Sequence, residues 1–248
     1  MIKVLISGAN GRMGQVVANL ISESDKFSVV CGFDKDASCV SFPIYSNIDE
    51  IKEDIDVIID FSIPIATMKI LDFALDKKIP IVIATTGLSE DELERIGDAS
   101  CQIPIFISSN MSFDISIMKK LVMWLAPLLK NTDIEIIETH HNRKIDSPSG
   151  TAQMLADAIN SSLGNTKFCE YDRHSKKEKR DKNEIGMSSI RGGNIVGEHT
   201  VKFFGEFETF EITHTSYSRN VFAEGALKAG EFLVNKEPGL YNMDDLAN

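Results

Sequence analysis

An apolar run that breaks directly into a glycine turn sits at the start of the chain and restricts the fold more than any other stretch. Ile2 to Ser7 is nearly continuous in apolar residues, Gly8-Ala-Asn-Gly-Arg-Met-Gly14 follows at once, and Val16, Val17, Leu20 and Ile21 then recur at helical spacing. A strand buried on both faces of a parallel sheet reads this way. Strand, glycine turn and helix in that order are the context of a dinucleotide fingerprint. Glycines let the backbone approach a pyrophosphate, and the helix N-terminus offers free N–H groups and a positive dipole end. The spacing is Gly-x-x-Gly-x-x-Gly, with Asn10 where a middle glycine is commoner. Asn tolerates a left-handed backbone better than most residues, so the turn stays feasible. A plain tight turn is the bland alternative.

The next segments repeat the pattern. Phe27 to Phe33 is apolar and ends in Asp34 and Lys35. An acidic residue there, about 20 residues past the glycines, is placed for the adenosine ribose hydroxyls, and Lys35 is placed for a 2′-phosphate. The pair predicts weak selection between NADH and NADPH; two solvated turn residues are the alternative. Asp56 to Phe61, Pro80 to Ala84 and Ile103 to Ile107 read as further buried strands. A helix from Ser62-Ile-Pro to about Lys77 and one capped by Ser89, with Glu92 completing a capping box, lie between them. This alternation predicts an α/β fold, a Rossmann-type doubly wound parallel sheet. Ligands bind such sheets at the carboxyl ends of the strands. Thr85, Thr86, Ser109 and Asn110 lie at those ends, where they are placed to line a nicotinamide pocket.

After Phe113 the rhythm changes. The spacing predicts a helix over 117–129 with Met118, Leu121, Val122, Leu125 and Leu128 on its apolar face. A strand over 133–139 ends at His140, and a helix over 151–163 follows. Phe168 to Ile185 is charged and reads as an exposed excursion. Ser188–Ile190, Gly197–Phe204 and Thr209–Ser216 read as antiparallel strands joined by turns at 191–194 and 205–208. A helix from Asn220 to about Val234 is of the kind that returns to cover a nucleotide-fold sheet, and the segment from Pro238 is irregular. The expected organisation is a dinucleotide-binding domain of residues 1–110 plus 219–248, and a second α+β domain of 111–218 for substrate binding and oligomerisation. Crossings near Met111 and Arg219 would form a hinge, a common device for closure on a substrate.

Composition excludes several classes. The 248 residues are 43% hydrophobic and carry a net charge of −11, which argues against nucleic acid, since phosphate neutralisation needs a basic face. A small anion responds to local charge instead. No apolar run approaches the ~20 residues of a membrane span, and the N-terminus reads as a strand rather than a signal peptide. Cys31, Cys39, Cys101 and Cys169 lack metal or disulfide spacing; three lie in or beside apolar runs and read as buried free thiols, which suits a reducing cytoplasm.

The densest chemistry lies in Glu138-Thr-His-His-Asn-Arg-Lys-Ile-Asp-Ser-Pro-Ser-Gly-Thr-Ala152. His140 and His141 are potential proton carriers at a strand end, pointing to opposite sides. Lys144 is a compact cation. Ser147-Pro148 reads as an N-cap with proline at the first helical position, so that Ser149, Gly150 and Thr151 present N–H groups and hydroxyls to a carboxylate. A capped helix behind a polar loop is the bland alternative. A zinc site competes weakly, because His174, His199 and His214 are scattered; no metal is expected.

The motif Glu-x-His-His-x-x-Lys-x-Asp-x-Pro-Ser-Gly-Thr-Ala resembles the signature of the dihydrodipicolinate (4-hydroxy-tetrahydrodipicolinate) reductase family of lysine and diaminopimelate biosynthesis. Gly-x-x-Gly-Arg-Met-Gly, Thr85-Thr-Gly87 and Arg191-Gly-Gly-Asn-Ile-Val-Gly-Glu-His199 are similar to the same family, and the likeness spans essentially the whole chain. The resemblance implies NAD(P)H-dependent reduction of a cyclic hydroxy-dicarboxylate with loss of water, and usually a homotetramer. It implies His140 as catalytic acid/base, Lys144 as proton donor, and His141, Gly150 and Thr151 as substrate contacts. It further implies that Gly8, Ala9, Asn10, Gly11, Arg12, Met13, Asp34, Ala84, Thr85, Thr86, Ser108, Ser109, Asn110 and Met111 line the cofactor. Ala84 and Met111 depart from a frequent glycine and a common aromatic residue, which leaves cofactor preference open. Two alternatives are a nucleotide sensor without catalysis and a semialdehyde dehydrogenase. The second needs a nucleophilic cysteine beside a placed base, which neither Cys101 nor Cys169 has.

Overall fold

The computed structural model describes residues 1–37 and 41–246. Cys39, read above as a buried thiol, and the last two residues of the 219–248 segment lie outside them. The chain forms two compact units, Met1–Phe113 with Arg219–Asn248, and Asp114–Ser218.

The first unit begins with β1 (Ile2–Ser7), α1 (Arg12–Ser22), β2 (Phe27–Phe33), β3 (Ile44–Tyr45), a 3-10 turn at Ile48–Glu50, and β4 (Val57–Asp60). It continues with α2 (Pro64–Lys77), β5 (Ile81–Ile83), α3 (Glu90–Ser100) and β6 (Pro104–Ile107). The Ser89–Glu92 capping box is formed. After the second unit the chain adds α6 (Asn220–Leu233), β12 (Gly239–Tyr241) and α7 (Met243–Leu246). The seven strands run in the order β12-β6-β5-β4-β1-β2-β3, all parallel. Val17 and Ile21 of α1 and Ala223, Ala226 and Leu233 of α6 cover one face. Ile70, Leu71 and Ala74 of α2 and Ile96 of α3 cover the other. This is the expected doubly wound sheet, and its order reverses between β1 and β4. Gly225 lets α6 approach the Met111 backbone, because a Cβ there would collide with the Met111 carbonyl oxygen. The segment after Pro238 is not irregular: β12 extends the sheet through backbone pairing with β6, and so short a strand leaves no periodicity to read.

The second unit contains α4 (Phe113–Leu128, in this unit from Asp114), β7 (Asp133–His140), α5 (Gly150–Ser162), β8 (Phe168–Glu170), β9 (Glu184–Arg191), β10 (Gly197–Phe204) and β11 (Thr209–Ser216). Its sheet order is β11-β10-β7-β9-β8. Ile134 and Ile136 of β7, Ile185 of β9 and Val201 and Phe203 of β10 pack against Met118 and Val122 of α4 and Leu155 and Ile159 of α5. The period of a strand then carries Glu138 and His140 to the same face, where the apolar core gives way to a polar cluster.

Other expectations of this unit and of the cysteines differ from the structure. β9 is longer than read and parallel to β7 and β8; Gly186 obscured it, and a Cβ there would run into the Glu135 carboxylate. Residues 192–196 are therefore not a hairpin. They cross the end of β7, with Gly192 N–H donating to the His140 carbonyl (2.9 Å) and His141 N–H to the Ile195 carbonyl (2.8 Å). The charged 168–185 stretch is exposed or half-buried up to Asn183, as read, and ion pairs tie it to the sheet: Arg173 donates to Glu184 at 2.6 Å, and Arg180 bridges Glu135 and Glu184. Leu121 and Leu128 of α4 are exposed rather than core, as is Cys101; Cys169 is half-buried and Cys31 buried. Among the described residues no helix is long and apolar enough to cross a membrane.

Candidate active site

In the first unit a cleft of about 640 Å³ opens at the carboxyl ends of β1, β2 and β4. Gly8, Gly11, Asp34 and Lys35 line it, together with Phe33, Ser46, Phe61–Ala66 and Lys69. Gly8 takes a left-handed backbone (φ 78), and a Cβ there would stand 2.7 Å from the Phe61 carbonyl oxygen. A Cβ on Gly14 would strike the Gly8 carbonyl. Gly11 N-caps α1 with no capping side chain, and the first turn of α1 holds no acid. The Gly11 N–H closes the turn by donating to the Gly8 carbonyl (2.9 Å), so the N–H groups of the first turn of α1 that follow it meet no competing carboxylate of their own helix. Asn10 does not need the left-handed backbone expected of it; Lys78 and Asn165 are the non-glycines with positive φ among the described residues. Its side chain donates to the Asp36 carbonyl (2.6 Å), while its N–H donates to Asp34 (2.9 Å). The Asp34 carboxylate thus braces the turn as well as facing the cleft.

At the neighbouring strand ends Asp60 is fully buried and accepts from Ser62 (2.5 Å), Thr67 (2.6 Å) and Thr85 (2.8 Å). Thr85 and Ala84 are buried, while Thr86 and Ser109 are exposed and Ser108 and Asn110 half-buried. Met111 lies in the core, so only its backbone remains for a ligand. The α2 start and Ser46 were not found from sequence; Ile63 and Ile65 are exposed apolar residues within the cleft, and the single cue was polar and apolar residues mixed at a strand end.

The second unit brings together His140, His141, Lys144, Ser149, Gly150 and Thr151 at the end of β7 and the start of α5. His140 is buried, its Nδ1 2.5 Å from Glu138 Oε2. Arg191 donates to both Glu138 oxygens, at 2.8 and 2.7 Å, and to the Asp146 carbonyl at 2.7 Å. Burial pulls the Glu138 carboxyl upward, but donors from Arg191, Ser189 and His140 outweigh it and bring it down to about 2. Burial lowers His140 below the usual imidazole range, against the opposing pull of Glu138. The His199 ring meets the His140 ring edge-on at 5.1 Å. Lys144 pairs with Asp146 at 2.9 Å. His141 is half-buried, and its Nδ1 has no hydrogen-bond partner among the described residues.

The helix start differs from expectation. Ser149, not Ser147, caps α5, accepting from Ala152 N–H at 3.2 Å, and Pro148 lies outside the helix after a cis peptide bond. Ser149 is buried; its N–H donates to Glu138 (3.2 Å) and its hydroxyl lies 3.0 Å from His199 Nε2. It supports the turn from inside, and Gly150 and Thr151 face outward. Sequence reading gave Glu138, Arg191 and His199 no role in the cluster, although Glu138 opens the central motif and the family-like Arg191–His199 motif holds the other two. Among the described residues no group of three or more His, Cys, Asp or Glu side chains is arranged to hold a metal ion. Burial pushes the Cys31 thiol up to about 12, so it is no nucleophile.

The sheet, the glycine cleft and the histidine–carboxylate cluster define a Rossmann-type oxidoreductase that works with a nicotinamide dinucleotide. Two family models match the chain, dihydrodipicolinate reductase N-terminus over residues 2–111 and C-terminus over 114–247. The chain belongs to the dihydrodipicolinate reductase family, whose members use NAD(P)H. The 4-hydroxy-tetrahydrodipicolinate reductase of Caldanaerobacter subterraneus subsp. tengcongensis is 51% identical, over 99% of this chain and 98% of its own. That of Clostridium tetani is 44% identical, over 100% and 98%. A solved dipicolinate-bound dihydrodipicolinate reductase from Paenisporosarcina sp. TG-14 shares the fold, with a TM-score of 0.81 at 24% identity over 98% of this chain and 97% of that one. These relatives are enzymes, which disfavours the nucleotide-sensor alternative.

Proposed function

We propose that the chain carries out the family reaction through the residues assembled at the end of β7. The activity is NAD(P)H-dependent reduction of 4-hydroxy-tetrahydrodipicolinate to tetrahydrodipicolinate, with loss of water, in lysine and diaminopimelate biosynthesis. The bound cofactor supplies a hydride. The first unit, 1–113 with the C-terminal segment, holds the dinucleotide: the glycine turn and the α1 N-terminus take the pyrophosphate, Asp34 the ribose and Lys35 a 2′-phosphate, so both NADH and NADPH are accepted. Ala84–Thr86 and Ser108–Met111 serve the nicotinamide end.

The second unit holds the dicarboxylate. Gly150 and Thr151 at the open start of α5, with His141, bind one carboxylate, and Ser149 keeps that turn in shape. Reduction places negative charge on the conjugated ring system, and a protonated group must quench it. Lys144 gives that proton, exchanging its Asp146 partner for the anionic substrate, and His140 is the acid/base. The observation that carries this reading is the joining of His140, Lys144 and the α5 start in one cluster rather than along an open loop. The enzyme works as a cytoplasmic homotetramer, with oligomer contacts made by the second unit.

His140→Ala and Lys144→Ala are expected to lower kcat by about 10²-fold or more, the range of lost acid–base help, in an assay of NADH oxidation with the cyclic substrate. Near-normal turnover in both variants sinks the assignment.

A further inference from the structure

We infer that Glu138 is the positioning residue of the site: its buried carboxylate holds His140 as the Nδ1–H tautomer, leaves Nε2 as the reactive nitrogen, and ties that ring to the helix start that receives the substrate carboxylate. The inference rests on the proposed acid/base role of His140 and adds the group that directs it.

Glu138 is fully buried, and its two oxygens receive a complete set of donors. Oε2 faces His140 Nδ1 (2.5 Å) and Arg191 Nη1 (2.8 Å); Oε1 takes Arg191 Nη2 (2.7 Å) and Ser149 N–H (3.2 Å). An ionised carboxylate only accepts, so the proton between Glu138 and His140 sits on Nδ1. In the neutral ring the lone pair is then on Nε2. That nitrogen looks toward Gly197 of β10, where a Cβ would stand 3.0 Å away. Glycine at this place keeps the reactive side of the ring clear. Oε1 meanwhile fixes Ser149, the cap of α5, so the ring and the carboxylate-binding turn share one anchor. The bidentate Arg191 fork keeps the anchor rigid and charged.

The charged and titratable groups around His140 are Glu138 on its own strand, Arg191 from β9, His199 from β10 and Lys144 from the loop after β7. Glu138 is the one that raises the His140 pKa; burial, Lys144 and Arg191 lower it. Removing the carboxylate charge therefore moves the His140 titration to lower pH.

The test begins on the unaltered enzyme with NADH bound. ¹⁵N-histidine NMR above the His140 titration is expected to show its proton on Nδ1; a proton on Nε2 overturns the inference without any variant. In Glu138→Gln, kcat is expected to fall about 10- to 100-fold, part of the 10²–10⁴ that acid–base help supplies. Its KM for NADH should not change, and the rate limb belonging to His140 should move to lower pH. A purely structural glutamate would lower the amount of folded enzyme and leave that limb in place, which also overturns the inference. His140→Ala separates the two levels: normal turnover there refutes the acid/base reading, whereas an inactive His140→Ala beside a Glu138→Gln with wild-type pH profile refutes the role of Glu138 alone.

Discussion

Replacing His199 by glutamine removes one titrating group from the interior of the second unit while leaving an acceptor within reach of the Ser149 hydroxyl. His199 is 4% exposed. Burial, joined by the neighbouring His140, holds its pKa down from 6.5 to about 4, with Glu138 pulling the other way. Because the folded pKa lies below the unfolded one, the unfolded chain takes up the proton first. The stability that follows from neutral His199 is complete above pH 6.5. It is lost as the pH falls toward about 4 and does not change further below that. At about 1.4 kcal/mol per pH unit, this window corresponds to ~3 kcal/mol. In the protonated ring Nε2 carries a hydrogen, so its contact with the Ser149 hydroxyl reverses, the ring donating and the hydroxyl accepting. Urea unfolding between pH 7 and pH 4, followed by circular dichroism and by the fluorescence of Trp124, the single tryptophan and a residue of the second unit, measures the difference. Wild type should lose ~3 kcal/mol more than His199→Gln over this range. Parallel profiles refute the reasoning, because other acid-labile groups act equally on both proteins.

Two further outcomes follow from the first unit. Gly225→Ala drives a Cβ into the Met111 carbonyl oxygen, so α6 has to lift from the sheet; overpacking of this kind costs about 1–3 kcal/mol, read as a fall in Tm of several degrees, and an unchanged Tm contradicts the close approach. Lys35→Ala should raise KM for NADPH up to about fivefold, the worth of an exposed charge pair, with KM for NADH unaffected; equal changes for both cofactors remove Lys35 from 2′-phosphate recognition.

Much of the nucleotide unit was legible because its signals are local. A both-faces-buried strand, a glycine turn and an amphipathic helix each declare themselves within one window of residues, and Ser89 with Glu92 forms its capping box three residues apart. The second unit was less legible for the same reason. The parallel pairing of β9 with β7 joins Glu138 to Ser189, and no periodicity records a partner so far along the chain. The exposed Leu121 and Leu128 had the spacing of a core face; pattern shows which residues share a side of α4, not whether anything covers it. Ser147-Pro148 had the composition of a cap, yet Ser149 caps α5 because its hydroxyl is the one within reach of Ala152 N–H.

By itself the sequence determined the fold class, the family and the stretch that carries the chemistry, since those depend on residue types and spacings within short windows. Tertiary structure decided how that chemistry is held. Glu138 and Arg191 are 53 positions apart, and Ser149 and His199 are 50 apart. They meet because the sheet places β9 and β10 on either side of β7. A buried carboxylate is stable there only with donors from several strands, and which donors those are is settled by strand order, not by the order of residues in the chain.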